Sequence, residues 1–230
     1  MTFPTPTPAA PGRPLLVTAR TTLPDLGDRV VDRPRVAAAL HELTIAFPLV
    51  HVVAVAGSGK TTAVAQAVAR GERPVAWLTL DPGDTAPGRL LTYLEAALSR
   101  VVPAAQDVAA TALAQGYPHR EAAALLAEAV GARPVLLVLD EVERLAGSAE
   151  ARSVVAALLR YAPPALHAVL ISRYEVDLDT GPVLGRVAVA GGDALAFTVD
   201  EAAAALSRTG LPPVDPVRAV AASGGWVTGV

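Results

Sequence analysis

Cysteine is absent from this chain, and lysine occurs once, at Lys60. The first absence excludes disulfides and thiolate metal sites and fits a reducing compartment. No apolar run approaches the roughly 20 residues of a membrane span. The amino terminus, "MTFPTPTPAAPGRP", lacks the apolar core of a secretory signal. A cytoplasmic location without a membrane partner is therefore expected. A formal net charge of -3 supplies no basic stripe, so direct DNA binding by this segment is not expected. His41, His51, His119 and His167 share no metal-ligand spacing, no Gly-x-Ser-x-Gly elbow occurs, and no internal repeat is found.

What is present is apolar: 52% of the 230 residues are hydrophobic, enough for one large domain or a domain with an appendage. Runs of strand length occur at "HVVAVA" (His51 to Ala56), "VAWLTL" (Val75 to Leu80), "VLLVLD" (Val135 to Asp140), "HAVLIS" (His167 to Ser172) and, more weakly, "GRVAVA" (Gly185 to Ala190). Most are continuously apolar, the mark of strands buried on both faces of a parallel sheet. Helical faces lie between them. Leu90, Leu91, Leu94, Ala97 and Leu98 form one, and Leu125, Leu126, Ala129 and Val130 another, with Gly131 at the C-cap. A third holds Val154, Val155, Leu158 and Leu159 and stops before Pro163 and Pro164. Strands alternating with helices imply a doubly wound α/β domain.

The lone lysine sits in "VVAVAGSGKTT", where a strand ending at Ala56 meets a turn with Gly57 and Gly59 and a helix running from Lys60 to about Arg70. Glycines let successive N–H groups point inward, and the helix N-terminus adds its positive end, so the loop is a nest for phosphate oxygens. A compact ammonium fits inside such a nest and a planar guanidinium does not, which explains lysine in a chain that otherwise uses arginine. Ala56, Gly57, Ser58, Gly59, Lys60, Thr61 and Thr62 are the nucleotide-binding candidates, and the Thr61 hydroxyl is a Mg²⁺ ligand candidate. Ala54 stands where the pattern has its first glycine; the position falls late in the strand, so the loop is expected to survive.

Asp140 ends a buried strand at the carboxyl edge of the sheet, where ligands bind, and is the second Mg²⁺ candidate. Glu141 beside it is placed to orient or deprotonate an attacking water. Together they read as a Walker B motif with a catalytic glutamate, which points to the P-loop branch carrying an extra strand between the two motif strands. "HAVLISR" is expected to be that strand. Ser172 and Arg173 would then emerge beside the γ-phosphate, with Arg173 joining Lys60 and Glu141 among the catalytic candidates. Farther on, Thr198 and Glu201 make a capping box, and Asp215 with Pro216 opens a short helix ending near Gly224 and Gly225.

The order of "ARTTLPDLGDRVVDRPRVAAAL", "AGSGKTTAVAQ", "VAWLTLDPGDTAPGRLLTYLEAAL", "VLLVLDEVERL", "LISR", "ALAFTVDEAAAAL" and "SGGWVTGV" resembles the nucleotide-binding module of MalT-like, LuxR-type transcriptional regulators. These are STAND-class NTPases, relatives of NB-ARC switch modules. The resemblance runs from Ala19 to Val230. It implies an ATP/ADP switch that, in complete form, carries a winged-helix segment, a helical-repeat sensor and a DNA-binding helix-turn-helix, none of which falls in these residues; the chain looks like an excised switch module or an abbreviated relative. It also implies that "VVDRPRV" lies over the adenine, with Val31 and Arg33 as contacts. Read from the residues themselves, Asp32 is an N-cap and Pro34 a first-turn residue. Related switches touch the nucleotide through a Gly-x-Pro near Gly225, Trp226 and Val227, where valine replaces the proline.

The expected architecture is thus a three-layer P-loop NTPase with a five-stranded, mainly parallel sheet in the order 5-1-4-3-2, followed by the start of a helical module. The expected divisions are a disordered or extended lead-in at 1–24, an ATPase core at 25–192 and a truncated helical module at 193–230. Its cofactors are Mg²⁺ and ATP/ADP, and its partners are its own downstream domains and, once activated, further copies of itself. The alternatives are a nucleotide-dependent scaffold without useful turnover and, with no evident acceptor pocket or lid, a small-molecule phosphotransferase.

Overall fold

The computed structural model describes residues 15–27, 30–179, 186–208 and 214–226. Among them, β1 (Leu49–Val53), β2 (Val75–Thr79), β3 (Val135–Asp140), β4 (Leu166–Ser172) and β5 (Val187–Ala190) form one sheet in the order β2-β3-β4-β1-β5. Every pairing is parallel. This is the expected order, and β4 is the strand inserted between the two that carry the motifs. Gly185, read as the first residue of the last strand, lies outside the described residues. β1 begins and ends earlier than its apolar run suggests, because the chain leaves the strand at Ala54 to enter the glycine loop.

The helices are α1 (Pro34–Ala46), α2 (Lys60–Val68), α3 (Pro87–Ser99), α4 (Val108–Ala114), α5 (His119–Glu128), α6 (Ala149–Arg160), α7 (Gly192–Leu195), α8 (Val199–Leu206) and α9 (Pro216–Ser223). They divide the core in two. Leu137 and Leu139 of β3 pack with α3, α5 and α6, while Leu136 and Val138 pack on the other face with α1 and α2. All six residues of β3 are buried, which is why its sequence shows no alternation. Truncating Leu137, fully buried, to Ala costs about 2–5 kcal/mol by the usual large-to-small rule.

Two sequence expectations are corrected here. Part of the stretch read as an extended lead-in is folded: Thr18–Thr21 forms a 3-10 turn. Arg20 anchors it by donating to the Thr79 carbonyl at 3.0 Å, pairing with Asp81 at 3.0 Å and with Asp84, and lying 3.8 Å over the Tyr93 ring. The N-cap of α1 is Arg33 and not Asp32, because Pro34 occupies the first helical position. The tail follows local rules. Thr198 and Glu201 close the capping box at 3.2 and 3.0 Å, the Asp215 side chain caps α9, and Gly224 ends that helix in the left-handed region at φ 63°.

Candidate functional site

The site grows from the carboxyl ends of β1, β3 and β4. Gly57 (φ 75°) and Gly59 (φ 77°) take the left-handed backbone that curls the loop, and Gly59 is the N-cap of α2. Ala54 needs no such freedom. Among the described residues only Asp107 and Glu141 are non-glycines with positive φ, and the Ala54 N–H still donates to Ser172 O of β4 at 3.2 Å. The position of the missing first glycine is therefore strand-like, and alanine serves it.

Lys60 Nζ lies within the loop, donating to Ala54 O at 2.6 Å and Val55 O at 2.9 Å. Burial pulls the ammonium below its ordinary range, opposed by the nearby carboxylates, of which Glu143 and then Asp140 act most strongly. The Thr61 hydroxyl donates to Asp140 Oδ2 at 2.9 Å, and the Glu141 N–H donates to Asp140 Oδ1 at 2.9 Å. Asp140 is only 4% exposed, and burial pushes its carboxyl upward against those two donors. Glu141 itself adopts φ 59°, and its Oε2 accepts from Arg144 Nε at 2.7 Å. Glu143 pairs with Arg173 Nε at 2.9 Å.

These groups enclose a cavity of about 350 Å³. Of the sequence candidates, Ala56, Gly57, Gly59, Lys60, Thr61, Thr62, Asp140, Glu141 and Arg173 line it together. Ser58 is buried, its hydroxyl without a hydrogen-bond partner among the described residues. Val31 and Arg33 do not reach the cavity. Gln66 of α2 holds their backbone, donating to Val31 O at 2.9 Å and accepting from the Arg33 N–H at 3.2 Å. The Arg33 guanidinium donates to Leu195 O at 2.6 Å and lies 4.7 Å over the Phe197 ring. Buried and engaged, it ties the junction of α7 and α8 to α1, while desolvation lowers its pKa and Glu201 opposes the change. Val227 lies outside the described residues.

Sequence reasoning missed Glu143 and Ile171 on the cavity wall. Trp226, in the stretch that the resemblance places near the nucleotide, donates its indole N–H to Ala56 O at 3.0 Å. For Glu143 a signal existed, a third acid two residues past Glu141, but its direction depends on the 3-10 turn Val142–Leu145 that buried Val142 and Leu145 anchor. The donor set suits Mg²⁺, a hard cation that takes a hydroxyl and a carboxylate and fills its remaining positions with water and phosphate oxygens. Among the described residues no three His, Cys, Asp or Glu side chains could hold a metal alone. Among them too, no helix is long and apolar enough to cross a membrane.

A left-handed glycine loop opening a helix, a buried acid on a strand two places away and an all-parallel five-stranded sheet between helical layers define a P-loop NTPase fold. Comparison with known proteins carries this further. No family model matches the chain. It is similar to the HTH-type transcriptional regulator MalT of Cronobacter sakazakii, 26% identical over 211 residues that make up 89% of this chain and 23% of that protein. MalT of Serratia proteamaculans is 30% identical over 195 residues, 82% of this chain and 21% of the relative. The chain thus spans about a fifth of the length of these curated relatives. In fold it is similar to a Walker-type ATPase of Pyrococcus abyssi, with a TM-score of 0.55 and 19% identity over 86% of this chain and 65% of that one. The chain is a MalT-like P-loop NTPase module.

Proposed function

We propose that the module binds Mg·ATP and ADP, hydrolyses ATP slowly, and serves as the STAND-class switch of a MalT-like transcriptional regulator. The observation that carries this reading is the convergence of Lys60, Thr61 and Asp140 on one cavity at the mouth of a parallel sheet, with Thr61 and Asp140 already joined at 2.9 Å. In this assignment the N–H groups of Ala56 to Thr62 cradle phosphate oxygens, and Lys60 places its ammonium beside the β- and γ-phosphates. Thr61 and Asp140 hold Mg²⁺, which when bound neutralises phosphate charge and polarises the bond that breaks. Glu141 orients an attacking water and accepts its proton, while Arg173 and Lys60 stabilise charge that develops on the terminal phosphate. The adenine rests on the segment carrying Val31 and Arg33, which Gln66 and the pairing of the Arg33 guanidinium with the Leu195 and Ala196 carbonyls hold in place.

As in the regulators it resembles, the module works in the cytoplasm with a winged-helix segment, a sensor, a separate DNA-binding part and further copies of itself; its own net charge of -3 favours no direct contact with DNA. A second reading, binding without useful turnover, is favoured by one observation: Glu141 and Arg173, two of the three side chains assigned to chemistry, are held in ion pairs, with Arg144 and Glu143 respectively. Parallel measurement of nucleotide affinity and phosphate release on the wild-type chain decides between them. Binding with release above the nucleotide-only background supports the switch ATPase, and binding with none supports the scaffold.

A further inference from the structure

Three carboxylates, Asp140, Glu141 and Glu143, share the cavity wall with two cations, Lys60 and Arg173. Asp140 is satisfied by Thr61 and by the Glu141 N–H, and Glu141 by Arg144. Glu143 differs, because both of its oxygens go to a single residue. Oε1 meets Arg173 Nε at 2.9 Å, and Oε2 accepts from the Arg173 backbone N–H at 3.2 Å. One carboxylate therefore fixes both where residue 173 leaves β4 and where its guanidinium points. The Glu143 side chain is 8% exposed and that of Arg173 47%, so the anion is the fixed member of the pair and the cation the one free to move.

We propose that Glu143 is a specificity-determining residue of the nucleotide site, its carboxylate competing with the terminal phosphate of a nucleoside triphosphate for Arg173. The inference rests on the reading of the cavity as a nucleotide site. A triphosphate gains the guanidinium only by displacing the carboxylate, whereas a diphosphate has no terminal group to make the exchange. An ion pair with one half-exposed partner is weak, and a guanidinium binds phosphate in a bidentate fork, so the competition scales the preference for ATP without blocking it. Glu143 thereby narrows the gap between the two nucleotides and favours the diphosphate state.

The test is titration calorimetry of ADP and of a non-hydrolysable ATP analogue, each with Mg²⁺, into the wild-type chain, Glu143→Gln, Arg173→Ala and the double variant. Gln keeps an acceptor for the Arg173 N–H and drops the charge. Removing a negative charge near Lys60 strengthens both nucleotides alike, so the ratio of the two affinities is the readout. The preference for the triphosphate rises about three- to tenfold in Glu143→Gln, and the same substitution has no effect on the ratio in the Arg173→Ala background. An unchanged ratio in Glu143→Gln overturns the proposal, as does an equal rise without Arg173. Should Glu143→Gln not fold, Glu143→Asp, one methylene shorter, gives the same direction on a smaller scale. Failure of the wild-type chain to bind either nucleotide overturns the reading of the site itself, a result distinct from binding with an unaltered preference.

Discussion

Two sets of arginine–carboxylate pairs stand at the same edge of the sheet, on register partners Thr79 and Asp140, and they differ in burial. Beyond β2, Asp84 is fully buried and is met by Arg20, by Arg89 at 3.4 Å and by the Asp81 N–H at 2.8 Å. Beyond β3, Glu141 pairs with Arg144 while each side chain is more than a third exposed, and the Arg173 side chain that meets the buried Glu143 carboxylate is itself 47% exposed. A buried charge must be fully matched, since removing one partner strands the other in low dielectric. A half-exposed pair can exchange its partner for water or for a phosphate at little cost. The first set therefore fastens the amino-terminal turn to the sheet, and the second is placed where partners change.

The largest effect that would break this contrast falls on the buried set. Arg20→Ala leaves the buried Asp84 with only the more distant Arg89 and the Asp81 N–H, and should lower stability by about 3 kcal/mol in denaturant unfolding. A loss below about 1 kcal/mol would put Arg20 among ordinary surface contacts. Next comes chemistry: Glu141→Gln should lower phosphate release by about a hundredfold with nucleotide affinity kept within about twofold, because the metal-holding pair stays while the proton acceptor goes. Release at the wild-type rate removes Glu141 from its assigned role.

A third test uses a buried carboxylate with no arginine. Glu95 of α3 accepts from the Ala110 N–H at 3.0 Å, and burial raises its pKa above the usual 4.5 against that and neighbouring backbone donors. A raised folded value means that the stabilisation is complete below the unfolded pKa and is lost as pH rises through the folded one. Glu95→Gln removes that dependence, so its melting temperature relative to wild type should climb between pH 4 and pH 7; a flat or falling difference contradicts the burial argument. The smallest effect belongs to the exposed set: Arg173→Ala should cost less than about 1 kcal/mol of stability, measured by the same unfolding.

Legibility in the sequence follows the range of the interaction. The glycine loop, the Thr198 capping box and the Asp215–Pro216 helix start are set by residues within a few positions of one another, and each appears as read. The strand order was also legible, because the Asp140–Glu141 pair pointed to the P-loop branch that carries an extra strand between the two motif strands. Arg33, Arg20 and Glu143 were not. Their partners lie 162, 64 and 30 residues away, and no local pattern carries that information. Arg20 was hidden further by the Pro/Thr-rich composition before it, and nothing near Arg33 in the chain foretells that its guanidinium closes on the Leu195 and Ala196 carbonyls.

The central claim is that the cavity around Lys60 binds the phosphates of a nucleotide. Titration calorimetry of Mg·ATP and Mg·ADP into the wild-type chain and into Lys60→Ala, with circular dichroism to verify the fold, tests it most directly. The side chain removed is the ammonium donating to the Ala54 and Val55 carbonyls, so the loop loses its one mobile charge and little of its packing. The account predicts binding by the wild type and a loss of about a hundredfold or more in a folded Lys60→Ala, whereas near-normal affinity in that variant would contradict it.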